Sequence, residues 1–349
     1  MTVTIKDVAR AANVSVASVS RALNGHASVT ADTRKLVLEA ARALHYIPHS
    51  GARSLSTNRT DTIGVVLPDL YGEFFSELIR GIDVAARSRG LHLLVSSSHG
   101  DAGEAAAALR SMSGRVDGVI IMSPYVDASF VADNLPGVLP VVLLNTHDAE
   151  HGYSSLAVDN YGGAAAMVQH LVELGHRRIM MLAGPANNFE AEERLRGFRE
   201  TMTRLLPAFD PRDVAVIRGA FTEESGYRAG RQMQALKRLP DAVFAANDMM
   251  AIGCLFALNE AGVQVPRDVA LVGFDDIPMA RFISPPLTTV RVRMTDIGSR
   301  ALEGLAFQIE NPDATRNVAE VLQTKLVVRM SCGATRLAAL TGGEGKEQE

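Results

Sequence analysis

The first 45 residues place hydrophobic side chains at the spacing of short amphipathic helices. Three apolar stripes repeat at intervals of three and four residues, which predicts three helices; the stripes are Ile5, Val8, Ala9 and Ala12, then Val19, Ala22 and Leu23, then Val37, Ala40, Ala41 and Leu44. Thr4 and Asp7 can form a capping box at the first helix, and Ser15 can cap the second. Asn13 suits the left-handed residue that ends a helix. This pattern predicts a helix-turn-helix domain over residues 1–45.

From residue 61 onward, short apolar runs alternate with helical stripes. The runs predict strands at 63–67, 91–95, 118–122, 141–144, 178–182, 214–217, 242–245 and 269–272. The stripes predict helices at 74–87, 102–112, 163–174, 191–204, 223–236 and 249–261. Such alternation is typical of parallel sheets covered on both faces. Two units of comparable size are expected to hold a ligand where the carboxyl ends of their strands face each other.

The composition of the chain argues against a membrane protein, a secreted protein and a zinc-binding or disulfide-rich protein. The chain has 349 residues, 47% of them hydrophobic, without an apolar run long enough to span a membrane. Charged residues Lys6, Asp7 and Arg10 occupy the place where a secretory signal would be apolar. The two cysteines, Cys254 and Cys332, form neither a disulfide framework nor a zinc motif. We therefore expect a soluble, cytoplasmic protein with no membrane association.

Charge is distributed unevenly between the amino-terminal segment and the rest. Residues 1–60 contain eight Lys or Arg and three acidic residues, a charge of +5, so the total of −4 leaves −9 for the remainder. A basic head on an acidic body favours nucleic-acid binding, because neutralisation of phosphates supplies most non-specific affinity. A merely solvated basic face is the alternative.

The second predicted helix carries the residues expected to read DNA bases. Its outward positions near the start are Val16, Ala17, Ser20 and Arg21. Arg21 can pair with the O6 and N7 edge of guanine, while Val16 and Ala17 allow close approach or contact thymine methyl groups. A three-helix bundle that binds protein is the alternative interpretation.

A linker over residues 46–60 follows the three helices. Pro48 stops the third helix or starts a fourth, and residues 50–55 could form about two turns, too short to be stable alone in water. Gly51 weakens this segment further. We expect it to fold on binding, with Leu55 as a wedge for a minor-groove step.

The sequence does not favour a catalytic site. The segment from His147 to His151 matches the HxxEH pattern of zinc peptidases, but it follows a strand and leaves no room for the helix that this chemistry needs. The chain has no nucleophile elbow, phosphate-binding P-loop or dinucleotide fingerprint. We predict no enzymatic activity, no metal and no cofactor.

The amino-terminal sequence resembles a known family. The run TIKDVARAANVSVASVSRALNG, followed by YIP and AR-L, is similar to the head and hinge of lactose-repressor-type (LacI/GalR) transcription regulators. The resemblance implies that paired hinge helices enter the minor groove and that Leu55 intercalates at the operator centre. His49 and Gly51 depart from the family pattern at the hinge. The predicted DNA contacts are Thr4, Ser15, Val16, Ala17, Ser20, Arg21, Asn24, Thr30, Ala52 and Leu55.

The resemblance continues to about residue 330, where the body is similar to periplasmic sugar-binding proteins. It implies two doubly wound parallel-sheet lobes, over 61–160 plus 291–321 and over 161–290 plus 322–340, with crossovers near 160, 290 and 322. Residues 341–349 form a polar tail without heptads, so a tetramerising coiled coil is not expected there.

A small effector is expected between the lobes, and the resemblance implies its ligands. Polar groups would come from Asp69, Asn188, Arg194, Asn247 and Asp275, and aromatic faces from Phe74, Phe75 and Phe221. Guanidinium, amide and carboxylate groups suit a ring of hydroxyls. Ordinary core packing is the alternative for each phenylalanine, and helix capping is the favoured role of Asp159 and Asp248.

Together these features predict a homodimeric repressor that binds a palindromic double-stranded DNA operator under the control of a small ligand, a sugar or sugar derivative. A twofold operator requires two heads, which is why a dimer is expected. A nucleoside or purine effector, or a protein corepressor, is the alternative within this class. A sugar-binding protein of a transport system is disfavoured, since it would need a secretory signal and would not use a helix-turn-helix.

Overall fold

The computed structural model describes residues 3–46, 59–123, 126, 128–135, 139–145, 152–206, 215–313 and 318–334. The predicted hinge with Ala52 and Leu55, the His147–His151 segment and the tail at 341–349 lie outside these residues. The chain divides into two compact units, Met1–Thr62 with Gly114–Asp117, and the remainder. We call the first the head and the second the body.

Three helices form the head over the described residues 3–46, as the hydrophobic pattern predicts. They are α1 (Ile5–Ala11), α2 (Val16–Leu23) and α3 (Ala31–Ala43). Their apolar stripes meet in one small core made of Val8, Ala9, Val19, Ala22, Val37 and Ala41. Asn13 adopts φ of 52°, so it ends the first helix in the left-handed conformation that its side chain tolerates.

The first sheet of the body has six strands in the order β11-β5-β4-β3-β1-β2. The strands are β1 (Thr62–Leu67), β2 (His92–Ser97), β3 (Gly118–Met122), β4 (Val141–Leu144), β5 (Ser154–Val158) and β11 (Ala319–Leu322). The intervening helices are α4 (Glu73–Ser88), α5 (Ala102–Met112) and α6 (Ala128–Asn134). Strands β3 and β4 are buried along their whole length, as expected of parallel strands covered on both faces.

The second sheet has four parallel strands in the order β7-β6-β8-β9. They are β6 (Ile179–Ala183), β7 (Val216–Arg218), β8 (Ala242–Ala245) and β9 (Ala270–Val272). Its helices are α7 (Asn160–Glu173), α8 (Phe189–Leu205), α9 (Glu223–Met233) and α10 (Asp248–Glu260), followed by a 3₁₀ turn at Pro278–Arg281. The alternating α/β pattern predicted from the sequence is confirmed in both sheets.

The chain passes between the two sheets three times. It leaves the first sheet after β5, and it returns through β10 (Thr289–Arg291) and α11 (Met294–Glu310), the latter packed against α4. After β11 it enters β12 (Lys325–Val327), which pairs antiparallel with β10. Strand β11 alternates exposed and partly buried residues, and β12 has one exposed and two partly buried residues. Neither strand has the fully buried apolar run by which the earlier strands were predicted.

Several predicted boundaries were wrong by one to three residues. The helix predicted from residue 163 begins at Asn160, because the Asp159 carboxylate accepts a hydrogen bond from the Gly162 N–H at 2.7 Å and caps it. The helix predicted to 236 ends at Met233. No helix in the described part of the chain is both long and apolar enough to cross a membrane.

Candidate functional site

The helices of the head start at side-chain caps. The Asp7 carboxylate accepts hydrogen bonds from the backbone N–H and hydroxyl of Thr4, at 3.0 and 2.7 Å. These bonds, led by that of the Thr4 hydroxyl, lower the pKa of Asp7. Ser15 accepts from the Ser18 N–H at 3.0 Å. The predicted caps at α1 and α2 are therefore confirmed, and each fixes the start of a helix by local bonds.

Thr30 and Asn24 flank the connection between α2 and α3. The Thr30 hydroxyl accepts a hydrogen bond from the Thr33 N–H at 3.3 Å and caps α3. Asn24 is the last, capping residue of α2, and its amide lies 3.5 Å from the Ser20 hydroxyl oxygen. Both residues thus have a structural role at the turn between α2 and α3, in addition to the DNA contacts predicted for them.

The outer face of α2 carries small side chains and one cationic side chain, that of Arg21. Val16 is 41% exposed, Ala17 and Arg21 are exposed, and Ser20 is half-buried. Among the described residues no acidic group pairs with the Arg21 guanidinium, which leaves its donors available. Small neighbours beside an unpaired arginine permit close approach to a groove edge.

A cavity of about 480 Å³ lies in the body, and all eight predicted effector residues line it. Asp69, Phe74 and Phe75 come from the loop after β1 and the start of α4. The other five belong to elements of the four-stranded sheet, and they are Asn188, Arg194, Phe221, Asn247 and Asp275. The volume falls in the usual range for small-molecule sites.

Arg194 is the central cation of this cavity. Its side chain is buried, with Nε donating to the Asn160 Oδ1 at 2.8 Å and Nη1 donating to the Ala246 carbonyl at 2.5 Å. Nη2 lies 3.2 Å from Oδ1 of Asp275. The guanidinium also stacks 3.9 Å from the ring centre of Phe274. Arg194 is thus fixed by the protein before any ligand arrives.

Asp275 carries an unsatisfied acceptor. The residue is buried and has φ of 110°, and its Oδ1 receives no hydrogen bond of acceptable geometry within the described residues despite the nearby arginine. Burial raises the pKa of this carboxyl to about 6, although the charge of Arg194 acts in the opposite direction. A buried acceptor without a donor is costly, so this atom is a natural contact for a ligand.

The two predicted amide ligands also cap helices. Asn188 accepts from the Ala191 N–H at 2.9 Å at the start of α8. Asn247 accepts from the Met250 N–H at 3.0 Å at the start of α10, and its amide donates to the Phe221 carbonyl at 2.9 Å. Asn247 already uses both polar ends of its side chain, so it shapes the cavity wall as well as lining it.

The capping role predicted for Asp248 was wrong. Asn247 is the cap, and Asp248 is the first residue of α10, fully buried beneath it. Its carboxylate accepts from the Thr289 hydroxyl at 2.6 Å and the Ile277 N–H at 2.9 Å. Burial raises the pKa of Asp248 well above its usual range.

The three predicted phenylalanines contribute aromatic rings to the cavity wall. Phe74 and Phe75 are half-buried and perpendicular, with ring centres 5.2 Å apart. Phe221 is also half-buried and adopts φ of 62°. A Cβ at Gly184 would come within 2.4 Å of the Phe221 ring, so glycine there allows this ring position.

Further lining residues were not predicted from the sequence. They include Tyr71, His99, Met122, Asn187, Glu190, Thr222 and Met249. Glu190 lies one helical turn before Arg194, and that spacing was the signal available for it. Burial raises its pKa, an effect partly offset by Arg194 and by the amides of Asn145 and Asn188.

Contacts across the mouth of the cavity join elements of the two sheets. The Tyr71 hydroxyl donates to Oε1 of Glu223 at 3.4 Å, and the Met279 N–H donates to Oε2 of Glu73 at 2.8 Å. These bonds couple the first turn of α4 and its preceding loop to the opposite wall.

Both units match family models. Residues 4–49 match the bacterial regulatory proteins of the lacI family, and residues 168–332 match a periplasmic binding protein-like domain. The HTH-type transcriptional repressor CytR of Escherichia coli (strain K12) is 35% identical over 338 residues, which cover 95% of this chain and 96% of CytR. The chain belongs to the LacI family.

Solved structures of LacI-family proteins share this fold. A structure of the lac repressor dimer bound to operator and the anti-inducer ONPF has a TM-score of 0.83 and 30% identity, covering 95% of this chain and 99% of that one. A complex of the transcriptional regulator CelR with cellobiose has a TM-score of 0.69 and 32% identity, covering 94% and 99%. The resemblance inferred from the head and body sequences is confirmed, and the chain is a DNA-binding transcriptional regulator.

Proposed function

We propose that this LacI-family regulator is a homodimeric repressor whose affinity for a palindromic operator is set by a small ligand in the body cavity. The observation that carries the proposal is the convergence of eight predicted ligand residues on one cavity in which Asp275 keeps an unsatisfied acceptor. The lobes at 61–160 plus 291–321 and at 161–290 plus 322–340 are the parts that would move when this ligand binds.

The head supplies the DNA-binding part of the proposal. Arg21 is the side chain expected to discriminate a guanine, and Val16, Ala17 and Ser20 keep the helix close to the base edges. Thr4, Ser15, Asn24 and Thr30 hold helix ends where backbone and hydroxyl groups can bind phosphates. Ala52 and Leu55 complete the proposed contacts.

A dimer is supported by apolar side chains that the body leaves exposed. Phe282 is 75% exposed, Phe256 is 60% exposed and Met279 is 45% exposed. Exposed aromatic residues are enriched in interfaces, and the lac repressor structure is that of a dimer on operator. We expect Phe282→Asp to shift the protein toward monomer in analytical ultracentrifugation and to weaken operator binding.

A sugar or sugar derivative is the effector that the cavity chemistry favours. Aromatic rings beside carboxylate, amide and guanidinium groups suit a ring with apolar faces and polar edges. The CelR complex with cellobiose supports the same class. We assign the chain no enzymatic activity, since the relatives compared above are DNA-binding regulators.

Fluorescence anisotropy tests the proposal. DNA from the gene's own upstream region, and a pool selected from random sequence, would be titrated with protein at two salt concentrations. Sugars, sugar phosphates and nucleosides would then be added to the complex. We expect selective binding that a sugar or sugar derivative changes, and loss of the selectivity in Arg21→Ala.

Three results would contradict the proposal or part of it. Absence of any selected sequence would reject the operator-binding role. Selective binding that only a nucleoside alters would reject the sugar class and favour a nucleoside or purine effector, and selective binding that only a partner protein alters would favour a protein corepressor.

A further inference from the structure

The charged groups that line the cavity are unbalanced. Among the described residues that line the cavity, Asp69, Glu190 and Asp275 carry carboxyl groups and Arg194 carries a guanidinium. The other titratable side chains on the wall, Tyr71 and His99, are both exposed. The described part of the cavity wall therefore carries more acidic than basic side chains.

The guanidinium of Arg194 already has partners within the protein. Arg194 donates to Asn160 and Ala246 and lies beside Asp275, as described above. Among the described residues no cation lies within ion-pair distance of Glu190. Rearrangement of Arg194 toward Glu190 would break two hydrogen bonds and the stacking on Phe274.

Glu190 and Asp275 lie inside the cavity and interact. Glu190 is half-buried on the first turn of α8, and Asp275 is buried after β9 with Oδ1 lacking a donor. The charge of Glu190 contributes to the raised pKa of Asp275, so the two carboxyl groups are close enough to repel. Asp69, by contrast, is exposed and its Oδ1 accepts from its own loop, at the Leu70 and Tyr71 N–H groups.

We propose that the effector presents a protonated amine to Glu190 and Asp275, and that it is an amino sugar rather than a neutral sugar. This inference rests on the proposed function, because it names the chemistry of the ligand in the same cavity. An ammonium group would balance the excess charge and donate to the unsatisfied oxygen of Asp275. Phe74 and Phe221 would cover the apolar face of the sugar ring.

Matched compounds test the inference on the full-length protein. Glucosamine, galactosamine and mannosamine would each be compared with glucose, galactose and mannose by isothermal titration calorimetry. We expect at least one amine to bind about tenfold or more tightly than its hydroxyl counterpart, as a charge-assisted hydrogen bond allows. The same compound should change the anisotropy of the bound operator.

Glu190→Gln is the decisive variant, because glutamine keeps the shape and removes the charge. We expect it to reduce the preference for the amine to about threefold or less. Glu192→Gln removes one charge from the same helix outside the cavity, where Glu192 pairs with Arg218 at 2.6 Å, and it should retain the preference.

The failures are distinguishable. A neutral sugar that binds as tightly as its amine and changes operator affinity, with no effect of Glu190→Gln, would overturn this inference and leave the proposed function intact. If none of the six compounds binds, the amino-sugar inference is rejected. If the anisotropy panel also finds no effective sugar, the sugar effector is rejected with it.

Discussion

The head and the cavity of the body carry recognition groups of opposite kinds. In the head, Arg21 and Val16 are exposed on a helix that local caps define, and no buried charge supports them. In the cavity, Arg194 and Asp275 are buried and held by partners far away in the sequence. Substitutions in the head are therefore expected to change binding with little effect on stability, whereas substitutions in the cavity change both.

The strongest effect is expected from Arg194→Met. Removal of one partner of a buried ion pair costs about 3–5 kcal/mol, since Asp275 would remain buried without its cation. Thermal denaturation should show a large loss of stability, and the ligand response should vanish. Arg228→Met removes a pair with Glu224 whose side chains are 62% and 71% exposed, and it should change stability by less than about 0.5 kcal/mol. An equal loss of stability in Arg194→Met and Arg228→Met would show that burial of the ion pair does not determine its contribution.

Asp275→Asn should change the stability of the free protein in a pH-dependent way and should weaken ligand binding. The folded-state pKa is raised from 3.8 to about 6, so the protonated carboxyl is preferred in the folded protein. Its stabilising contribution is complete below pH 3.8 and is lost as the pH rises through about 6. Asparagine resembles the protonated form, so the stability of the variant relative to wild type should be about 2–3 kcal/mol more favourable at pH 7.5 than near pH 4.

Denaturant unfolding at the two pH values checks this sign, and calorimetry checks the loss of ligand affinity. If Asp275→Asn is less stable relative to wild type at pH 7.5 than at pH 4, then the effect of Arg194 on the pKa of Asp275 is larger than the effect of burial.

Arg21→Ala should weaken discrimination without weakening the fold. The loss of one bidentate base contact costs about 1–3 kcal/mol of specificity. Anisotropy should show a smaller ratio between the affinities for selected and unrelated DNA. Ligand affinity of the free protein should be unchanged. A drop in that affinity would mean that Arg21 acts through folding.

The smallest effects are expected at the helix caps of the head. Ser15→Ala and Thr30→Ala each remove a side-chain acceptor for a backbone N–H and should cost about 1 kcal/mol. Ser28→Ala, at an exposed turn position, is the matched control. Loss of specific DNA binding without loss of stability at either cap would instead indicate a direct phosphate contact.

The difference between the two regions also explains what could be predicted from the sequence. Caps such as Ser15 act within three residues, so local pattern was sufficient for the head. Buried strands such as β3 were found by their apolar runs, while β11 and β12 were missed because their residues are largely solvent-accessible.

Residues of the cavity could be predicted only at positions that match motifs of the LacI family. Arg194 and Asp275 came from matching motifs, and the structure brings them within 3.2 Å. Glu190 was missed because its four-residue spacing to Arg194 is a weak local signal that does not show that the side chain lies in the cavity wall beside other carboxyl groups. Asp248 was misassigned because Asn247, one residue earlier, provides the cap.

The central claim is that one ligand in the cavity sets operator affinity, and reciprocity tests it most directly. The panel compound that most stabilises the protein would be titrated into free protein and into the operator complex, and the operator Kd would be measured with and without that compound. We expect the two affinity ratios to be equal and to differ from one by at least about fivefold, and we expect Arg194→Met to abolish both effects. An operator Kd that is unchanged at saturating compound would contradict it.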